Sequence, residues 1–174
     1  MTRPVYHRSN SCEWPTPQDV FDCLEARFGP FDLDAAATPE NTKCVRYFTT
    51  ADDGLSQAWT GTVWCNPPYG TGVTGQWIEK AIRSAHEGAT VVMLVPGNTS
   101  SVWFREAWEH ADEVLGISGR LKFGHAQHPT GHGSVVFVFR PHRLRSWPAS
   151  GGLRYTMPKR HAGRNRWFQL KVSQ

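Results

Sequence analysis

Apolar and polar positions follow two periods along the chain. Val20, Phe21, Leu24 and Phe28 recur at helical spacing and define one apolar face. Thr16 reads as the N-cap of that helix, Pro17 as its first residue and Asp19 as a first-turn acid, and Gly29-Pro30 ends it. Phe31-Asp32-Leu33-Asp34 is a short strand running into Ala35-Ala36-Ala37, followed by a polar loop over 38–43 and an extended piece over 45–48. Residues 62–65 form another strand, which stops at Asn66-Pro67-Pro68-Tyr69-Gly70 because two prolines cannot continue a ladder. A glycine-rich loop over 70–75 leads into a helix whose buried stripe is Trp77, Ile78, Ala81, Ile82 and Ala85, closed by Gly88. Residues 90–95 are apolar on both faces, as a central parallel strand requires. Residues 99–101 cap a helix with inner residues Val102, Trp103, Ala107 and Trp108, and strands follow at 113–117 and 134–140.

Alternating strands and helices specify βαβ units. The expected architecture is α/β and Rossmann-like: a mostly parallel sheet, helices on both faces, and an antiparallel last strand. In such sheets ligands bind outside the carboxyl ends of the strands. Two unusual segments fall there, Asp34-Ala35-Ala36-Ala37 and Asn66-Pro67-Pro68-Tyr69.

Composition adds a class and a partner. The chain has 174 residues, 39% hydrophobic and 20% charged, which suits one globular domain with a tail. Its longest apolar run, 91–95, falls far short of the roughly 20 residues of a membrane helix. The basic N-terminus has no apolar stretch behind it, so no secretory signal is expected and the four cysteines should be reduced thiols in a cytoplasm. His125, His128 and His132 lie among glycines and a proline without acidic or Cys neighbours, and read as a polar loop and not a metal site. Charge is split. Eight of the 19 Lys and Arg lie in 141–174, which has no Asp or Glu, leaving residues 1–140 with 11 basic against 15 acidic side chains, a net of −4. The expected division is a body over 1–140 and a basic tail over 141–174. Trp147, Tyr155, Trp167 and Phe168 interleave with the tail's cations, a pattern suited to stacking on bases while cations meet phosphates.

Asn66-Pro67-Pro68-Tyr69 has a definite chemistry at a strand end. The prolines fix φ and remove two donors. The Asn66 side-chain oxygen and the Pro67 carbonyl are acceptors, and Tyr69 is a flat ring. Two acceptors beside a stacking face match a planar exocyclic amine such as N6 of adenine.

This tetrapeptide is similar to the (D/N)PP(Y/F) motif of S-adenosyl-methionine-dependent amino-methyltransferases. The ordered series Trp14-x-Thr16-Pro17, Phe31-Asp32-Leu33-Asp34-Ala35-Ala36, Thr38-Pro39-Glu40-Asn41, Asp52-Asp53-Gly54-Leu55, Trp59, Val63 to Tyr69, and Gly119-Arg120-Leu121-Lys122-Phe123 resembles the phage-type DNA N6-adenine methyltransferase (Dam) family over roughly 11–140. The resemblance implies a Rossmann-like methyltransferase fold over residues 1–140 and methyl transfer from S-adenosyl-methionine to N6 of adenine in DNA. It implies catalytic Asn66, Pro67, Pro68 and Tyr69. Trp14, Thr16, Pro17, Asp34, Ala35, Ala36, Asp53, Leu55 and Asn66 would bind the cofactor, with Asp53 taking its adenine amine and Leu55 its ring. Glu40 is the candidate for the ribose hydroxyls. Arg120, Lys122, Arg143, Arg145 and Arg160 would meet DNA. No membrane and no obligate protein partner is expected, and a phage-encoded chain would work in the bacterial host's cytoplasm. Other planar amines (cytosine N4, RNA adenine, protein glutamine) and a DNA-binding module without turnover are the alternatives. Taken alone, Asp52-Asp53-Gly54 is a turn, and Trp77, Trp103 and Trp108 are core.

Overall fold

Helix α1 (Gln18–Phe28) leads into β1 (Leu33–Asp34) and, after a long loop, β2 (Thr62–Cys65). Helix α2 (Val73–His86), β3 (Thr90–Pro96), α3 (Val102–His110), β4 (Glu113–Ile117), β5 (Ser134–Phe139) and β6 (Trp167–Val172) follow. The computed structural model describes residues 15–123 and 131–141, and the backbone alone of 167–172.

The six strands lie in one sheet in the order β1-β2-β3-β5-β4-β6. β1, β2 and β3 pair in parallel, and β5 inserts antiparallel between β3 and β4. Strands β1 to β4 therefore point one way and β5 and β6 the other. The expected strands are all present, with the last of them antiparallel to both neighbours. β6 was not expected. It pairs antiparallel with β4, so part of the basic segment belongs to the sheet.

The sheet's two faces carry two cores. Val63, Cys65, Val91, Met93, Val95, Phe137 and Phe139 meet Trp77, Ile78 and Ala81 of α2 and Phe104 and Ala107 of α3. Trp64, Val92, Leu94, Leu115, Val136 and Val138 meet Val20, Phe21 and Leu24 of α1. Both crossover helices lie on one face because the strand order runs steadily from β1 toward β4, so crossovers of one hand fall on one side. The opposite face is covered by α1, which precedes the sheet.

Two helix starts differ from expectation. Pro17, not Thr16, is the N-cap of α1: its ψ of 139° is extended, so the helix begins one residue later, at Gln18. Helix α2 begins at Val73, after Gly72 in the left-handed region (φ 77°), so Gly75 lies inside the first turn. At the amino end of β4, Glu113 accepts from Arg27 Nη2 at 2.7 Å and Arg140 Nη2 at 2.6 Å, tying α1 and the end of β5 to the end of the sheet opposite the loops of interest.

Candidate active site

The carboxyl ends of β1 and β2 are neighbours, because Leu33 pairs with Val63 and Asp34 with Trp64. The chain stays in ladder contact past both ends: Ala35 N–H donates to the Trp64 carbonyl at 2.9 Å. On the outer side the extended piece adds one bridge, Asp34 to Tyr47, with Asp34 N–H on the Arg46 carbonyl and Phe48 N–H on the Asp34 carbonyl. Ala37 N–H closes the loop onto the Phe48 carbonyl at 2.9 Å. Ala35 to Ala37 make this turn without positive φ; Asp53 (φ 51°) is the one non-glycine residue with positive φ among those described. Alanine therefore suffices for this turn, with no glycine needed.

A cleft opens over these ends. Its walls include Thr16, Asp34 to Thr38, Phe48, Asp53, Gly54, Asn66, Pro68 and Trp77. Asp34 is 2% exposed, and its carboxylate accepts from Lys43 N–H at 2.9 Å and Ala36 N–H at 3.4 Å. Burial pushes this carboxyl up to about 6, against the two backbone donors and the Lys43 charge that pull it down. Thr16 Oγ1, also buried, has no hydrogen-bond partner among the described residues. Burial likewise pushes the Cys44 thiol up to about 12 and raises that of fully buried Cys65, so neither is a ready nucleophile.

The Asn-Pro-Pro-Tyr corner sits where the sequence places it, immediately after β2. Asn66 and Pro68 line the cleft. Pro67 is buried, and Tyr69 is half-buried against the core on the α1 side. Asp53 stands at the rim on a loop pinned from both sides: Asp52 Oδ2 accepts from Thr49 N–H and Oγ1 at 2.8 and 2.7 Å, and the Gly54 carbonyl accepts from Trp59 Nε1 at 2.8 Å. Gly54 is required by packing. A Cβ there would press on the Ala35 carbonyl and lie 3.2 Å from the Trp77 ring.

The family model for DNA N-6-adenine-methyltransferase (Dam) matches residues 6–154, spanning both the Asp34 turn and the Asn66 corner. The chain belongs to this Dam family. A DNA N-6-adenine-methyltransferase of Escherichia phage T1 is 34% identical over 149 residues, covering 73% of this chain and 62% of the relative's length. A protein of the same description from Haemophilus phage HP1 is 34% identical over 127 residues, covering 71% and 72%. A crystal structure of a Thermoplasma acidophilum protein aligns with TM-score 0.40 at 15% identity, over 72% of this chain and 86% of that one.

Of the residues that the Dam resemblance singles out, the cleft brings together Thr16, Asp34, Ala35, Ala36, Asp53, Asn66 and Pro68. Pro17 and Leu55 do not line it; Leu55 packs on the α2-side core. Glu40 is exposed and lies outside it. Arg120 and Lys122 are exposed beside buried Leu121 and Phe123. Trp14, Arg143, Arg145 and Arg160 lie outside the described residues, as do His125 and His128. Trp77 is core, at 8% exposure, as its helical spacing predicts, and is also a cleft wall. Phe48 and Lys43 line the cleft without a local sequence signal for doing so, and Asn41, which the family series includes without a role, lines it too. Among the described residues no group of three His, Cys, Asp or Glu could hold a metal, and no helix is long and apolar enough to cross a membrane.

Asp34 gives a measurable pH dependence. Its ordinary value is 3.8, so between that value and about 6 the folded chain holds a proton that the unfolded chain has lost. Stability therefore falls as pH rises through that window and levels off above it. The contribution is of order 3 kcal/mol. Asp34→Asn removes it, so the stability gap between variant and wild type should shift in the variant's favour by about that amount between about pH 4 and pH 7. Urea unfolding of both proteins checks it; a gap that does not move with pH would show the carboxyl to be ordinary.

Proposed function

We propose that this Dam-family chain transfers the methyl group of S-adenosyl-methionine to N6 of adenine in DNA. The supporting observation is that Asn66, at the end of β2, and Asp34, at the end of its neighbour β1, open into one cleft. The residues present fit the donor. Asp34 is a buried carboxylate that a cationic amine would stabilise in its charged form, and Thr16 Oγ1 is a buried hydroxyl lacking a partner among the described residues. Trp77, Phe48 and the alanine turn supply apolar wall, and Asp53 a rim carboxylate for an exocyclic amine. When bound, S-adenosyl-methionine supplies an electrophilic methyl on a sulfonium.

The chain's own residues bind and orient the acceptor. Asn66 Oδ1 and the Pro67 carbonyl accept the two hydrogens of the adenine amine. That directs the nitrogen lone pair away from the ring and toward the donor side of the cleft. The Tyr69 ring supports the base. As the new N–C bond forms at the expense of the methyl–sulfur bond, whose electron pair stays on sulfur, the amine proton becomes acidic and leaves to the Pro67 carbonyl or to water, so no strong base is required. Catalysis is chiefly positioning, which can contribute several kcal/mol. In a duplex the N6 edge is stacked and paired, so the adenine must be flipped out.

The basic segment 141–174, with Arg120 and Lys122, would carry the phosphate contacts. Because β6 pairs with β4, deleting the whole segment would strip a sheet edge as well as charge. Replacing Arg143, Arg145 and Arg160 together with Gln separates the two effects. The slope of log K for DNA against log salt should fall by about 3. An unchanged slope would show that these side chains touch no phosphate. The reading as a whole is tested by labelled-methyl transfer to unmethylated plasmid, followed by mapping of N6-methyladenine. Label on cytosine, RNA or protein instead of DNA adenine would overturn it.

A further inference from the structure

Tyr69 lies three residues after Asn66, and its hydroxyl donates a 2.8 Å hydrogen bond to Asn66 Oδ1. The ring is held by something other than the cleft. It packs edge-on against Phe123, with centroids 6.1 Å apart and planes at 86°, and joins the core on the α1 side. Phe123 is 2% exposed, so this support does not move with solvent. Between the two residues the backbone is fixed by Pro67 and Pro68. Asn66, by contrast, faces the cleft. The last torsion of an asparagine side chain is broad and roughly two-fold, so the carboxamide's orientation is set by the hydrogen bonds it makes.

We infer that the Tyr69 hydroxyl is a positioning group: anchored through its ring on Phe123, it holds the Asn66 carboxamide in one orientation and leaves the second lone pair of Oδ1 for the substrate's amine. A carbonyl oxygen has two acceptor sites, so one bond from Tyr69 does not consume its capacity. Burial raises the hydroxyl's pKa, so it remains a donor throughout the working pH range. The inference rests on the amino-methyltransferase reading and adds to it a role for the hydroxyl distinct from the ring's support of the base.

Tyr69→Phe keeps the ring and removes the bond. The single-turnover rate of methyl transfer to DNA should fall roughly tenfold, because a small misplacement of a positioning group costs of that order or more. Donor affinity should stay within about twofold, since Asp34 and the alanine turn are untouched. Independently of activity, the side-chain amide cross-peaks of Asn66, assigned by their loss in Asn66→Ala, should shift and broaden in Tyr69→Phe. Either an unchanged rate or unmoved Asn66 cross-peaks overturns the inference. Should Tyr69→Phe melt below the assay temperature, 3-fluorotyrosine at position 69 supplies the readout: it keeps the fold and makes the hydroxyl a stronger donor, and a rate equal to wild type overturns the inference. A wild-type chain that methylates no DNA brings down the functional reading and this inference with it; one that does, yet ignores the hydroxyl, brings down this inference alone.

Discussion

Asn66→Ala should lower methyl transfer to plasmid DNA by roughly 100- to 1,000-fold, the loss typical of deleting one preorganised hydrogen-bonding group. The side chain is the one acceptor of the Asn-Pro-Pro-Tyr corner that both faces the cleft and can be removed without altering the main chain. Donor binding, measured by calorimetry, should change little, because the Asp34 side of the cleft is intact. A second effect follows from the hydrogen bond at this corner. Without Asn66 Oδ1 the hydroxyl of Tyr69, whose ring packs against the core on the α1 side, loses its partner, which should cost about 1 kcal/mol of stability. Asn66→Asp retains an acceptor for both the hydroxyl and the amine, so it should keep more activity and more stability than Asn66→Ala. Transfer by Asn66→Ala above about a tenth of wild type would show that the carboxamide is not the acceptor that matters.

Gly54→Ala is expected to damage both the fold and the cleft. The new Cβ would collide with the Ala35 carbonyl and crowd the Trp77 ring. Neither neighbour can retreat easily. Ala35 is held by its bond to the Trp64 carbonyl, and Trp77 is wedged against Trp59 with ring centroids 5.9 Å apart. The glycine's own carbonyl is tied to Trp59 Nε1. Overpacking of this kind costs about 1–3 kcal/mol, which for a chain of this size lowers the melting temperature by roughly 2–12 °C. The displaced atoms are the alanine turn and the Trp77 wall, so affinity for the methyl donor should fall by tenfold or more, about 1.4 kcal/mol. Gly131→Ala is the control, since a Cβ there meets nothing within 4 Å. Thermal unfolding and calorimetry on the two variants separate the cases; equal behaviour would refute the packing argument.

What could be read from the sequence was local. The apolar stripe of α1, the strand ended by two prolines, the doubly buried run of β3 and the strand-end Asp34 each declare themselves within a few residues. The missed features depend on partners far along the chain. Gly54 looks like a turn glycine until the loop is laid against Ala35, 19 residues earlier. Phe123 becomes the support of Tyr69 only when the segment after β4 crosses the α1 face. In the segment over 167–172, cations and aromatics read as a nucleic-acid tail, while the backbone pairs with β4, some fifty residues before it. Thr16-Pro17 carries a cap signal, yet the extended ψ of Pro17 moves the helix start on by one residue. The family series placed Asp34, Asp53 and Asn66 in one site; pattern and charge alone would have left Asp53 in a turn.

Strand adjacency has one more consequence. Asp34 ends β1 and Asn66 follows β2, and these strands are direct neighbours, so the carboxylate wall and the amide corner lie one strand across and two residues along from each other. Reactants seated at the two ends would already be within reach of each other, with no hinge between lobes to close. The same economy is a vulnerability: a substitution that merely spreads β1 from β2 would disable donor and acceptor sites together while altering neither.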